Sequence, residues 1–193
     1  MERTDKRFTN AELALLRRAK GARLLSVDAV LAAPSDNAWN TVRLHFEGFD
    51  LDVNNRLGEV TVDEFGTVDE FGLLSVTESS ADVLDIPEVG ADTTVFEIGE
   101  TVSGVSIVND IADVYGNGVH VARLEYPQAV AFGTDGGVLM LDKEVWFSEM
   151  IAIKRGDGID GLLYDDSASW EDRPDEDPTT HYEFLTEMQD LGK

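Results

Sequence analysis

The sequence predicts an α+β fold that is mainly antiparallel β: a meander or hairpin-rich sheet, or a partly open barrel, with a helix near each terminus. Three observations support this class. Short segments with an apolar residue at every second position recur between turn signals. A helix-start pattern occurs near each end of the chain. The strand–helix alternation that is typical of a parallel sheet is missing.

The first predicted helix covers about residues 10–20. Thr9 is placed to cap its start, and Glu12 stands at the third helical position, which together make the spacing of a capping box. Gly21 follows the last turn and suits the left-handed conformation that ends many helices.

A β-rich core is predicted over about residues 22–154. Gly116-Asn117-Gly118 and Thr134-Asp135-Gly136-Gly137 are strong hairpin turns, and a bulge or turn is expected at Glu47-Gly48. The segments with strand patterns are 23–32, 42–46, 49–53, 102–108, 112–115, 119–126, 129–132, 138–141 and 145–153.

The last part of the chain predicts an acidic strap over about 156–179 and a second helix over about 181–191. Thr180 and Glu183 repeat the capping-box spacing. An apolar stripe at helical spacing follows, made of Phe184, Leu185, Met188 and Leu191. We expect residues 1–193 to form a single domain.

Composition excludes several classes of protein. The chain contains no cysteine, so disulfides, cysteine-based metal sites and thiol nucleophiles are ruled out. Its net charge of −24 disfavours binding to nucleic acid and to anionic membranes, and favours a cationic partner. The N-terminal residues lack the apolar core of a signal peptide, and no membrane span is expected, so we predict a soluble cytoplasmic protein.

The acidic charge is distributed unevenly. Between Leu57 and Ala122 there are fourteen Asp and Glu residues and no Lys or Arg. Two explanations remain open: an acidic bias shared by the proteins of the host, and a surface that binds a basic partner.

A hexapeptide, TVDEFG, occurs twice in succession over residues 61–72. Six is an even number, so on an extended strand both copies place equivalent side chains on the same face. The alternatives are a duplication tolerated in an exposed loop and a row of carboxylates and aromatic rings that binds a basic partner. The candidate partner-binding residues on the second alternative are Asp63, Glu64, Phe65, Asp69, Glu70 and Phe71.

Trp170 is a further candidate contact, because it lies in an otherwise polar and acidic segment. Its side chain either holds the predicted strap against the sheet or anchors a partner.

Patterns for cofactor and metal chemistry are weak. No two of the three histidines have a ligand spacing, and neither a phosphate-binding glycine loop nor a serine nucleophile elbow occurs. We therefore expect no bound cofactor, nucleotide or transition metal. An acidic loop around Asp157 and Asp160 leaves a weak calcium site as an alternative to a solvated loop.

These observations favour a non-enzymatic acidic binding protein of the inhibitor or immunity type that acts on a basic protein. One alternative is an accessory or small-molecule-binding domain whose acidity reflects host bias. Another is a carboxylate-dependent hydrolase, which would need two carboxylates about 5–10 Å apart in a pocket.

Overall fold

The computed structural model describes residues 2–32, 37–61, 68–79, 92–143, 145–164 and 180–192. Within these ranges it contains ten β-strands and one α-helix. The elements are β1 (Glu2–Asp5), α1 (Asn10–Arg18), β2 (Arg23–Leu31), β3 (Ala38–Phe46), β4 (Phe49–Thr61), β5 (Val68–Glu78), β6 (Thr93–Gly116), β7 (Val119–Thr134), β8 (Gly137–Asp142), β9 (Met150–Gly156) and β10 (Thr180–Asp190).

The strands form one mixed sheet in the order β1-β7-β8-β9-β3-β2-β6-β10, with β4 and β5 branching from β3. A further pairing of β6 with β7 closes six of these strands into a ring. The pairings are antiparallel except that β1 lies parallel to β7, with Asp5 opposite Glu125. No pattern in the sequence predicts this N-terminal strand.

The longest strand, β6, pairs with different strands along its length. Its first nine residues pair with β2, and its later residues pair with β7 on one edge and β10 on the other. The pairing with β7 shifts register between Val102 and Gly104, just after the pairing with β2 ends at Thr101.

Helix α1 confirms the prediction for the N-terminus. The backbone N–H of Thr9 donates to Glu12 Oε2 at 2.8 Å, and the Thr9 side chain accepts from the Glu12 N–H, which completes the capping box. Glu12 also accepts from the N–H of Val76 at 3.1 Å, so the cap ties α1 to β5. Leu16 and Ala19 are fully buried against the sheet. Their cluster, the main core, takes residues from α1 and from β2 to β9.

The hairpin turns are also confirmed. Asn117 and Gly118 both have positive φ, as a two-residue turn between β6 and β7 requires. Glu47 and Gly48 form the turn between β3 and β4 rather than a bulge. The predicted strand over 145–153 is wrong in its first half, because 145–149 is a turn segment and β9 begins at Met150.

The predicted helix over 181–191 is wrong, and with it the expected fold class of a sheet with a helix near each terminus. These residues form β10, which pairs with β6 along all eleven positions. Tyr182 and Phe184 are half-buried on one face, whereas Leu185 and Met188 are both 52% exposed. The apolar residues at helical spacing therefore do not form one buried face. Hydrogen bonding to a long strand edge outweighs local helix propensity.

Most of the predicted acidic strap, 165–179, lies outside the described residues. Its beginning, 157–164, has turns and bends, and Ile159, Leu162 and Leu163 pack on the sheet beside Met140. No helix among the described residues is long and apolar enough to cross a membrane. The assignment of the whole chain to one domain stays a prediction.

Candidate functional site

The duplicated hexapeptide lies at the end of the β4–β5 hairpin. The last pair of the hairpin joins Thr61 to Val68, so both copies meet at this end. Asp63, Glu64 and Phe65 fall between these two residues and lie outside the described residues, as does Trp170. Asp69 lies in β5 opposite Val60, but the structure describes only its backbone.

Phe71, one of the candidate partner contacts, is a core residue. Its side chain is fully buried, and its ring centroid lies 4.7 Å from that of Trp146 and 6.1 Å from that of Tyr126. Val60, Ala112 and Leu124 complete this second core cluster. The alternation of side chains along β5 places Phe71 on the face that packs against β7, so it is unavailable to a partner.

Gly72 allows the turn segment 145–149 to lie directly against β5. Its N–H donates to the carbonyl oxygen of Trp146 at 2.6 Å, and its own carbonyl oxygen accepts from Lys143 Nζ at 3.1 Å. A Cβ at this position would overlap the carbonyl oxygen of Ser148. The buried Asn55 holds the same segment by donating to the carbonyl oxygens of Ser148 at 2.8 Å and Met150 at 2.9 Å.

Glu70 is exposed and lies directly opposite Glu59, which is also exposed. Opposed residues in an antiparallel pair have Cβ atoms about 4.5–5.5 Å apart, and like charges in such a pair are destabilising. This end of the hairpin therefore presents carboxylates on its outer face, while Phe71 and Val60 bury its inner face.

A second cluster of polar residues is buried between β7, β8 and β9. Gln128 occupies the bulge in β7 where the register with β6 shifts, and its side chain donates to Asp142 Oδ1 at 2.9 Å. Lys154 Nζ forms an ion pair with Asp142 Oδ2 at 2.7 Å. Asp142 is fully buried, so this pairing and hydrogen bonding offset the large cost of removing its charge from water.

Lys143 is a buried cation next to this cluster. Its side chain is 1% exposed, and Nζ lies 3.9 Å from the ring centroid of Tyr126. The ammonium thus combines a cation–π contact with the hydrogen bond to Gly72. This contact connects the buried cluster to the end of the β4–β5 hairpin.

A cavity of about 220 Å³ lies beside the buried cluster. Asp110, which is 6% exposed, accepts a hydrogen bond from Thr186 Oγ1 at 2.7 Å. The residues that line the cavity are Val108, Asp110, Gln128, Leu163, Tyr164 and Thr186. A larger depression of about 570 Å³ is formed by residues 155–162, where Asp157 and Asp160 are exposed.

Comparisons with protein-family models, with curated proteins and with solved structures find no match to this chain.

The fold brings histidines close to acidic and aromatic groups in two places. The ring of His120 stacks on that of Tyr115, with 4.9 Å between their centroids. The ring centroid of His181, on β10, lies 6.1 Å from that of Tyr115. Tyr115 donates to Glu183 at 3.1 Å, and this bond to a carboxylate raises the pKa of the Tyr115 phenol. His45, on the opposite part of the sheet, contacts the carboxylates of Asp28 and Asp50 at 3.1 and 3.0 Å.

Among the described residues, no group of three or more His, Asp and Glu side chains has a metal-binding arrangement.

Sequence patterns do not single out four residues of these sites: Glu59, Gln128, Asp142 and Lys143. Only Asp142 and Lys143 gave a usable signal, since two charged residues directly follow the apolar run Val138–Leu141. The opposition of Glu59 and Glu70 depends on hairpin register, and the burial of Gln128 depends on a bulge.

Proposed function

We propose that this chain is a non-enzymatic acidic binding protein of the inhibitor or immunity type, which binds a basic protein through the end of its β4–β5 hairpin. The observation that carries the proposal is the placement of Glu59 directly opposite Glu70. Both side chains are exposed on the outer face of the hairpin, so a cationic protein can approach two carboxylates there.

Contacts of Phe71 and Gly72 hold the backbone of β5 next to Glu70, which favours binding. Phe71 is packed between Tyr126 and Trp146, and Gly72 is hydrogen-bonded on both sides. The backbone that carries Glu70 therefore loses little conformational freedom when a partner binds, so less of the interaction energy is spent on ordering it.

Internal ion pairs occupy many of the basic side chains. Arg3, Arg7 and Arg123 all contact the buried carboxylate of Glu125. Further ion pairs join Arg18 to Glu78, Arg43 to Asp52, Lys154 to Asp142 and Arg155 to Glu100. Pairing does not alter the net charge of −24, so the chain attracts cationic proteins over a distance and speeds their encounter.

The experiment is affinity capture of a basic partner from the native host, followed by binding kinetics with matched charge variants. The test variant is Glu59→Gln with Glu70→Gln. The control is Asp135→Asn with Asp157→Asn, which removes the same charge from exposed positions outside the hairpin. We expect the test variant to slow association by about 2- to 5-fold at low salt, since rim charges act mainly on the association rate.

The control variant should change the association rate by less than about 1.5-fold, because its charges lie away from the contact. Equal effects of the two double variants would show that only total charge matters, and would contradict a contact at the hairpin end. Loss of the kinetic effect above about 0.5 M salt would support the electrostatic reason for it.

A second candidate function, small-molecule binding by an accessory domain, is favoured by the cavity of about 220 Å³ beside Asp110 and Gln128. Its buried polar side chains and apolar walls are typical features of ligand sites. Among the described lining residues Asp110 supplies the one carboxylate, so this cavity does not favour a paired-carboxylate hydrolase. The test is a fragment screen by ligand-observed NMR, in which Thr186→Phe should abolish any binding in the cavity.

A further inference from the structure

Strand β10 is a long strand at the edge of the sheet. Its eleven residues pair with β6 without a register shift, from Thr180 opposite Gly116 to Asp190 opposite Ser106. Within the described part of the chain, no strand pairs with its other edge. The section Leu185–Gln189 therefore presents backbone N–H and C=O groups on which a further strand can assemble.

Three of the devices that protect edge strands, namely lysine, proline and a bulge, are missing from β10. Its sequence, THYEFLTEMQD, contains no lysine and no proline, and the continuous register excludes a bulge. Leu185 and Met188 are each 52% exposed, and they lie on opposite faces because three positions separate them. Exposed apolar side chains on both faces of an edge without these three devices suit an added strand better than they suit solvent.

The charges on β10 select the kind of strand that can be added. Glu183 and Glu187 are exposed and lie on the same face as Leu185, which stands between them. If two copies of the chain paired antiparallel about Leu185, Glu183 of each copy would oppose Glu187 of the other, and each copy would bring a net charge of −24. The acidic residues therefore oppose self-association and favour a cationic strand.

We propose that the outer edge of β10, at Leu185–Gln189, accepts an extended basic segment of a partner protein as an additional antiparallel strand. Basic side chains of that segment lie opposite Glu183 and Glu187, and an apolar side chain lies opposite Leu185. This proposal rests on the proposed function only for the class of partner, a basic protein. The contact surface is a different one from the end of the β4–β5 hairpin.

The register defines a peptide that tests the idea. In the peptide Thr-Lys-Thr-Val-Thr-Lys-Thr, blocked at both ends, the two lysines and the valine fall opposite Glu187, Glu183 and Leu185 in an antiparallel pair. The control peptide has glutamate in place of both lysines. Each peptide is titrated into the full-length ¹⁵N-labelled chain, and amide chemical shifts and hydrogen exchange are followed by NMR.

We expect the lysine peptide to shift and protect amides within 185–188, the part of the proposed edge that lies opposite the peptide, and the glutamate peptide to leave them unchanged. A charge-exchanged chain, Glu183→Lys with Glu187→Lys, should reverse the preference between the two peptides by at least about fivefold, as cross-strand charge pairing requires. Both substituted residues are exposed, so the variant should fold.

Three results would overturn the proposal: shifts confined to residues outside β10, equal binding of the lysine peptide to the parent and charge-exchanged chains, or self-association of the chain through 185–189 without any peptide. The variant with Glu59→Gln and Glu70→Gln should bind the lysine peptide like the parent chain. The two proposals thus fail separately, since the kinetics with the captured protein test the hairpin and the peptide tests β10.

Discussion

Replacing Gly72 by alanine should destabilise the protein strongly, because the segment 145–149 lies directly on this position. The new Cβ would overlap the Ser148 carbonyl oxygen and lie 2.8 Å from Asn55 Oδ1. Relief requires β5 or the turn segment to move, which strains packing by about 1–3 kcal/mol. It also weakens the bond from the Gly72 N–H to Trp146, at about 1 kcal/mol.

The expected loss of unfolding free energy is therefore about 2–4 kcal/mol. For a chain of this size the loss lowers Tm by about 4–16 °C. Equilibrium urea denaturation followed by tryptophan fluorescence measures it, and Trp146 lies next to the altered site.

Two other glycines provide matched controls. At Gly104 a Cβ would meet nothing within 4 Å, so Gly104→Ala should keep or increase stability by up to about 1 kcal/mol. At Gly58 the Cβ would lie 2.6 Å from Leu73 Cδ1, a side-chain atom that can rotate away, so an intermediate loss of about 1 kcal/mol is expected. If Gly72→Ala and Gly104→Ala had the same stability, the close approach of 145–149 to β5 would be refuted.

Deletion of residues 62–67 should leave the fold intact at a cost of about 1–2 kcal/mol, because Val60 still pairs with Asp69 and Thr61-Val68 become a two-residue turn. Adding Thr61→Asn and Val68→Gly should restore that loss in thermal unfolding, and an unfolded deletion variant would refute the reasoning. Acid should also remove a stabilising contact. The hydrogen bond from Arg155 lowers the pKa of Glu100 from 4.5. The contribution of this contact to the free energy of unfolding is therefore complete above pH 4.5 and disappears as the pH falls through the lowered pKa. Arg155→Gln should flatten this part of the stability–pH curve, and an unchanged curve would contradict the assignment. Added salt should raise Tm at neutral pH, since a net charge of −24 repels itself.

Local sequence signals predicted local structure well. The capping box of α1 and the turns at 116–118 and 134–137 depend on residues close in sequence, and each formed as predicted. The same kind of signal failed for β10. Thr180 and Glu183 have capping-box spacing, but the free edge of β6 offered eleven paired positions, and no local pattern reveals that edge.

The candidate sites were less predictable than the turns. The duplicated hexapeptide marked the correct hairpin, yet its two faces differ in role, with Phe71 in the core and Glu70 in solvent. Lys143 is buried because Tyr126 and Gly72 surround it, and Gly72 lies 71 positions away in sequence. Such contacts follow from register and topology, which composition and periodicity do not specify.

The parallel pairing of β1 with β7 has a consequence for synthesis on the ribosome. Asp5 pairs with Glu125, which lies 120 positions later in the chain. Synthesis of the intervening residues takes roughly 6–24 s at 5–20 residues per second. Ring closure waits longer, because Ala38 of β3 pairs with Ile151 of β9, and β10 arrives last to cover β6. During that interval the nascent chain carries unpaired strands, and the fourteen acidic residues between Leu57 and Ala122 keep neighbouring nascent chains apart by mutual repulsion. The charge that we assign to partner binding would then act first as a safeguard against aggregation before folding is complete.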